Sequence, residues 1–146
     1  MKVAVVYWSS TGNTEAMAQA VVEGAKHAGA EAELFTAAEF DGGKMDEFDA
    51  VAFGCPAMGA EELEDGEFAP MFETCESKLS GKKIALFGSY GWGDGEWMRT
   101  WEENCRDKGA NLVCDSVICQ ETPDDEALSA CRSLGEALAR YNLRNL

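Results

Sequence analysis

The 146-residue sequence contains one histidine, His27, which lies late in a predicted helix. With a single histidine placed there, no Ser/His/Asp or Cys/His set can form, which argues against hydrolase chemistry. No apolar run approaches the roughly 18 to 20 residues of a membrane-spanning helix, and the apolar start is too short for a signal peptide. We therefore expect a cytoplasmic protein that does not contact the membrane.

Basic residues are also scarce: 12 Lys and Arg face 27 Asp and Glu, for a formal charge of -15. This imbalance disfavours nucleic acid and anionic membranes by repulsion and favours basic protein partners, although an acidic surface can also serve solubility alone. The six cysteines include no CxxC pair and no histidine at ligand spacing, so buried reduced thiols are predicted.

The chain length fits one domain, predicted to span residues 1–146. Short apolar segments alternate with segments of helical periodicity, and only the stretch around Gly42 and Gly43 is ambiguous. The predicted strands are 2–8, 32–35, 50–53, 83–87 and 112–119, and the predicted helices are 14–28, 68–79, 97–108 and 124–141. This alternation predicts an α/β fold, a doubly wound five-stranded parallel sheet with helices on both faces.

In such a sheet, ligands bind at the carboxyl ends of the strands, so the loops after strands one, three and four are the places to search. The first of these loops is Ser9, Ser10, Thr11, Gly12, Asn13 and Thr14, directly before a helix. Backbone N–H groups, the helix dipole and four hydroxyls can surround a phosphate there without Lys or Arg. An ordinary helix cap would explain one or two of these residues, and the absence of a Gly-Lys-Ser/Thr ending argues against a nucleoside triphosphate.

The second loop, residues 55–62, combines a methionine with a glycine and two carboxylates. Met58 can lie against a flat ring, and a turn at Gly59 can present either an N–H or a C=O because glycine permits both conformations. Glu61 can accept a hydrogen bond from a ring N–H. Taken alone, Met58 could equally be a side chain that packs inside its own loop, with no role in binding a ligand.

The third loop, residues 88–95, interleaves four glycines with Tyr90 and Trp92 after an apolar strand. Glycines let the backbone approach a ligand closely, and the aromatic rings offer stacking faces. A planar heteroaromatic ligand is therefore predicted, the alternative being a surface turn whose rings fold back on the core. Trp8, Trp97 and Trp101 are assigned to core or helix packing.

Three segments resemble flavodoxins, specifically the short-chain flavodoxins of anaerobic bacteria, nearly letter for letter: YWSSTGNTE at 7–15, AMG at 57–59 and LFGSYGWGDG at 86–95. The resemblance runs nearly end to end. It implies a flavodoxin-like sheet of order 2-1-3-4-5 with FMN between strands one and three, a rule for which flavodoxin is itself a standard example.

The resemblance also implies roles for individual residues. Residues 9–14 would hold the phosphate, Trp92 and Met58 would stack on the two ring faces, and Glu61 would bind the flavin N3–H. The expected cofactor-binding residues are Ser9, Ser10, Thr11, Gly12, Asn13, Thr14, Pro56, Ala57, Met58, Gly59, Ala60, Glu61, Ser89, Tyr90, Gly91, Trp92 and Gly93.

Two positions depart from the family pattern: Ser10 stands where many relatives carry glycine, and Ala60 follows Gly59 where Asp, Ser, Gly or Asn is more usual. If the turn requires a positive φ at residue 60, alanine costs about 1 to 2 kcal/mol more than glycine. Stabilisation of the semiquinone would weaken by a comparable amount.

The function implied by the resemblance is that of a low-potential one-electron carrier, monomeric, which docks on basic patches of reductases or oxidoreductases. One alternative is an FMN-dependent reductase on the same fold, although 146 residues leave no segment for a substrate pocket. A second is a phospho-acceptor signalling domain, which requires paired acids at the end of strand one, where Ser9 and Ser10 stand.

Overall fold

The computed structural model describes the backbone of residues 1–144 and the side chains of residues 1–140, so the last two residues of the predicted domain lie outside the described residues. The strands are β1 (Lys2–Tyr7), β2 (Glu31–Thr36), β3 (Ala50–Gly54), β4 (Lys83–Tyr90), β5 (Asn111–Leu112) and β6 (Val117–Gln120). The helices are α1 (Asn13–His27), α2 (Gly42–Met45), α3 (Phe68–Cys75), α4 (Glu96–Asp107) and α5 (Asp125–Arg144), with 3-10 turns at Ala37–Glu39 and Glu76–Lys78. The ambiguous segment around Gly42 is thus a one-turn helix.

All strands pair in parallel in the order β2-β1-β3-β4-β5, which confirms the predicted fold class and strand order. The predicted fifth strand is wrong in one respect, because β5 and β6 are separate and both pair with β4. Between them, Ser116 donates a hydrogen bond to Glu102 of α4 at 2.6 Å, and the chain leaves the ladder there before rejoining it at Val117.

Each face of the sheet packs against its own pair of helices. Val3 and Val5 of β1 point to the side of α1 and α5, whereas Val6 of the same strand and Phe53 of β3 point to the side of α3 and α4. Every residue of β3 is buried, as expected for a parallel strand covered on both faces. The sheet is therefore the middle layer of three.

The burial of the cysteine and tryptophan side chains agrees largely with the predictions from the sequence. All six cysteines are free; four are buried and Cys114 and Cys119 are partly buried, and burial raises the pKa of Cys55 to about 12. Trp97 and Trp101 lie in the core, while Trp8 is half-buried and donates its indole N–H to Glu67. Among the helices of the described residues, none combines the length and apolar character needed to cross a bilayer.

Two glycines let α1 and α5 approach each other closely. A Cβ atom added to Gly24 would lie 1.9 Å from the Arg132 carbonyl oxygen, and one added to Gly135 would lie 2.0 Å from the Val21 carbonyl oxygen. Both distances are far below van der Waals contact, so the two helix backbones touch where these glycines stand.

Glu64 organises the chain between β3 and α3. Its carboxylate accepts hydrogen bonds from the backbone N–H groups of Gly66 (2.7 Å), Glu67 (2.8 Å) and Phe68 (2.7 Å), which satisfies donors at the start of α3. Burial alone would raise the pKa of Glu64, but these three backbone donors outweigh it and hold the pKa below its ordinary value of 4.5.

We predict that Gly135→Ala destabilises the protein by about 2 kcal/mol, because the added methyl group forces α1 and α5 apart. The matched control is Ser133→Ala, at an exposed position of the same helix, which is expected to be neutral or slightly stabilising. Urea unfolding measures both. Equal stability of the two variants would contradict the tight backbone contact.

We predict that Glu64→Gln lowers the free energy of unfolding by about 1 to 2 kcal/mol at pH 7, because a neutral amide accepts three N–H donors less well. Since the folded-state pKa is lowered, this contribution is fully present above about pH 4.5 and is lost as the pH falls through the lowered pKa. The gap between wild type and variant should therefore narrow in acid, whereas the control Glu73→Gln on the exposed side of α3 should show no gap at pH 7.

Candidate functional site

Three loops meet at the carboxyl edge of the sheet, because β1, β3 and β4 are adjacent strands that end there. They enclose a cleft of about 220 Å³. The cleft is lined by Ser10, Thr11, Asn13, Pro56, Ala57, Met58, Ser89, Tyr90, Gly91 and Glu121. Residues predicted from three distant segments thus share one cavity.

The first loop presents backbone donors at the start of α1. Gly12 adopts a left-handed conformation (φ 92°), and its N–H donates to the Ser9 hydroxyl at 3.1 Å. Within the described residues, no side chain caps the first turn of α1. Its N–H groups are therefore available to an anion, and the helix dipole favours negative charge at this end.

Thr14 connects the first loop to the third beneath the surface of the cleft. Its side chain is buried, and its hydroxyl lies 3.1 Å from the hydroxyl of Ser89. Because Ser89 lines the cleft and Thr14 does not, Thr14 supports the site rather than forming its surface.

The second loop is a tight hairpin. Met58 and Glu62 exchange two backbone hydrogen bonds of 2.8 and 2.9 Å around residues 59–61. Positive φ values fall on Gly59 (51°) and Glu61 (61°), and not on Ala60. The condition for a cost at Ala60, a positive φ at that residue, is therefore not met, and left-handed strain of about 1 to 2 kcal/mol lies at Glu61 instead.

The Glu61 carboxylate has one satisfied and one unsatisfied oxygen. Oε2 accepts a hydrogen bond from the backbone N–H of Trp97 at 2.9 Å. Oε1 is buried and has no hydrogen-bond partner among the described residues. A Cβ atom on Gly93 would lie 1.8 Å from Oε1 in this conformation of the Glu61 side chain, and the positive φ of Gly93 (90°) itself favours glycine. A buried carboxylate oxygen without a donor favours a ligand that brings an N–H.

The third loop is held against the second. Ala57 donates its backbone N–H to the Ser89 carbonyl at 3.0 Å, and a Cβ atom on Gly88 would lie 2.2 Å from the Cys55 carbonyl oxygen. Tyr90 is half-buried and its ring centroid lies 5.5 Å from that of Trp97, whereas the Trp92 side chain is 67% exposed. Trp92 does not fold back on the core, which leaves its ring face available for stacking.

The remaining predicted residues surround the cleft without lining it. They are Ser9, Gly12, Thr14, Gly59, Ala60, Glu61, Trp92 and Gly93. Ser9 and Gly12 border a neighbouring cavity beside Tyr7, and Gly59 and Ala60 border a shallow pocket with Met58. The structure thus brings all predicted residues to one edge of the sheet. Some of them line the cleft, and the others lie next to it without lining it.

Sequence patterns left open the roles of two residues that the structure places here. Glu121 lines the cleft with a positive φ of 58°, and its N–H donates to the Tyr90 carbonyl at 2.7 Å. Gln120 donates its side-chain amide to the Gly91 carbonyl at 3.2 Å. The signal that links them to the site is the pairing of Gln120 with Tyr90, which exists only once β6 lies beside β4.

The electrostatic environment of the cleft is acidic. None of the residues that line it is basic. Carboxylate oxygens of Glu61, Asp94 and Glu96 lie within 4.8 Å of one another beside the third loop, and Arg99 pairs with Asp94 at the exposed surface at 3.1 Å. Added negative charge on the third-loop side of the cleft is therefore disfavoured.

The donor set fits FMN. The uncharged, uncapped start of α1 suits a phosphate, while Met58 and Trp92 offer apolar faces on opposite loops for a planar ring system. The unpartnered Oε1 of Glu61 suits a ring N–H. These three features lie along one continuous edge of the sheet.

Comparison with known proteins gives a consistent result. The model of the flavodoxin family matches residues 5–135. The chain is 45% identical over 141 residues to the flavodoxin of Megasphaera elsdenii, covering 94% of this chain and 98% of that protein. It is 43% identical over 135 residues to the flavodoxin of Clostridium beijerinckii, with 92% and 97% covered.

A solved structure agrees with the sequence relatives. The solution structure of two-electron reduced Megasphaera elsdenii flavodoxin superposes with a TM-score of 0.87 at 46% identity, covering 94% of this chain and 98% of that one. From the sheet order, the three converging loops and these matches, we conclude that the chain belongs to the flavodoxin family and that the protein is an FMN-binding electron carrier.

Proposed function

We propose that the cleft formed by the three loops is the FMN site, with the phosphate at residues 9–14 and the ring system between Met58 and Trp92. The observation that carries this proposal is the convergence of the three predicted loops on a single cleft. The absence of a side-chain cap at the described start of α1 supports the phosphate position. The unpartnered Glu61 Oε1 supports a hydrogen bond from the flavin N3–H.

FMN supplies one-electron chemistry when bound, and the surrounding residues of the chain set the free energy of each reduction step. The hairpin closed between Met58 and Glu62 would present a backbone group at Gly59 to the ring, and the carboxylate of Glu61 would accept a hydrogen bond from the ring N–H. A carboxylate about 12 Å away repels an added negative charge by roughly 0.3 kcal/mol at water-like dielectric, before salt screening. Five or six such groups total about 2 kcal/mol, or roughly 80 mV for one electron.

We further propose that the protein acts as a cytoplasmic monomer that docks on basic patches of reductases or oxidoreductases. The formal charge of -15 supports steering toward basic surfaces. The exposed ring of Trp92 supports an electron-transfer route through the third loop, because it puts the edge of the cleft at the protein surface.

We predict that Trp92→Ala weakens FMN binding about tenfold, because a stacking contact with a planar ring contributes on the order of 1 to 2 kcal/mol. The second one-electron reduction should also become easier, since water enters where the indole excluded it. Titration of the apoprotein with FMN and potentiometry measure the two effects. Trp92→Phe is the matched control and should retain most of the affinity; an unchanged affinity and potential in Trp92→Ala would refute the stacking role.

We predict that Glu61→Gln raises the potential of the second reduction step, because the amide keeps an acceptor oxygen but removes a negative charge beside the ring. For charges about 5 Å apart, the shift ranges from roughly 35 mV at water-like dielectric to roughly 140 mV at an effective dielectric of 20. Stepwise anaerobic reduction, followed by the visible spectrum, measures it.

The control for this experiment is Glu96→Gln, which removes an exposed carboxylate beside Glu61. Its shift should be smaller because solvent screens an exposed charge. Equal shifts in the two variants would show that net charge alone matters, and would contradict a direct hydrogen bond from the flavin to Glu61.

A further inference from the structure

The last strand of the sheet has an open edge. Among the described strands, β6 pairs with β4 alone, so the backbone groups of alternate β6 residues point away from the sheet. Open edges are commonly protected by Lys, Pro or a bulge. The β6 sequence, VICQ, contains neither Lys nor Pro, and its pairing with β4 runs without a bulge over Val117–Gln120.

A groove follows this edge. Its volume is about 460 Å³, larger than that of the cofactor cleft, and it runs between β6 and the first two turns of α5. Val117, Ala127 and Ala130 line its apolar part on the α5 side of the sheet, whereas the Ile118 side chain points to the other side, near Gly95, and is 38% exposed. A groove beside an unpaired strand edge is the geometry used in recognition by strand addition.

The surroundings of the groove are acidic. Residues 109–131 include five acidic residues and no basic residue. All five acids are exposed, and none of them is in an ion pair with another described side chain: Asp115, Glu121, Asp124, Asp125 and Glu126. Asp124 and Glu126 line the groove itself. A positively charged segment therefore complements this surface.

The groove is continuous with the cofactor cleft. Tyr90 lines both cavities. Gln120, at the end of the open edge, bonds to the Gly91 carbonyl, and the next residue, Glu121, bonds to the Tyr90 carbonyl and lines the cleft. A segment bound along β6 would thus end next to the loop that surrounds the ring.

We propose that β6 is a docking edge for an extended, basic segment of a redox partner protein, which adds as a further strand and anchors the partner beside the cleft. This inference rests on the carrier function of the protein. It assigns the recognition of the partner to backbone pairing at β6 in addition to charge attraction over the acidic surface.

The test uses the FMN-loaded, ¹⁵N-labelled protein and a synthetic peptide of alternating Lys and Val. We expect amide shifts concentrated at residues 117–120 and 90–91. A peptide of the same charge with alternate backbone nitrogens methylated cannot complete the ladder and should bind at least about tenfold more weakly. Equal affinity of the two peptides, or shifts centred on another surface, would overturn the proposal.

Matched charge variants separate local pairing from general attraction. Asp124→Asn with Glu126→Gln removes two charges from the groove, and the asparagine preserves the cap that Asp124 forms with the Ala127 N–H. Glu31→Gln with Glu33→Gln removes two exposed charges from β2, the opposite edge of the sheet. We expect about fivefold weaker peptide binding for the first pair and less than twofold for the second.

Equal losses in the two pairs would show diffuse attraction and overturn the β6 site. The protein could instead self-associate without peptide, which sedimentation would detect. If Ile118→Lys removed this association, the edge would belong to a second copy of the chain and the proposal would be overturned. The visible spectrum and FMN affinity of every variant should equal those of the wild type. If the peptide does not bind while the visible spectrum and the FMN affinity are unchanged, the docking edge is refuted but the carrier function is not.

Discussion

Adjacent parallel strands that end at the same edge are the constraint on which the rest of this structure depends. β1, β3 and β4 are neighbours, and each is followed by a loop at the carboxyl edge. Because the chain crosses to α1 on one face after β1 and to α3 on the other face after β3, the two connections diverge and leave a crevice. The third loop closes this crevice because β4 lies next to β3.

Close backbone contact then fixes the shape of the crevice. Gly88 lets the third loop approach the Cys55 carbonyl, and the hydrogen bond from Ala57 to Ser89 holds the second loop against it. A buried hydrogen bond between the Thr14 and Ser89 hydroxyls connects the first and third loops. The lining of the site therefore depends on backbone positions that the buried sheet sets, whereas Trp92 is a largely exposed side chain of the third loop.

Electrostatics links the site to the rest of the surface. In the proposed FMN site, backbone N–H groups and hydroxyls would hold the phosphate, and no Lys or Arg lines the cleft to favour a reduced, negatively charged ring. The same shortage of basic residues extends along β6 and the start of α5, at the proposed docking edge. One composition would thus serve both proposed sites.

Much of this was accessible from patterns in the chain. Short apolar runs that alternate with segments of helical spacing predicted the doubly wound sheet, and the order 2-1-3-4-5 implied by the flavodoxin resemblance is confirmed. The three loops stood out because a plain connection needs neither five polar residues and a glycine at 9–14 nor four glycines at 88–95. Local signals sufficed there, since each motif lies within a short stretch of chain.

Tertiary contacts decided what no local window contains. The division of the fifth strand at 113–116 accompanies the bond from Ser116 to Glu102 of α4, and the Glu61 carboxylate is held by the backbone N–H of Trp97, 36 residues further along the chain. Glu121 reaches the cleft because β6 pairs with β4, a contact across some thirty residues. The sequence by itself determined the elements and the chemistry of the loops, which depend on neighbouring residues; the fold decided which side chains line the cleft, because that depends on residues distant in the chain.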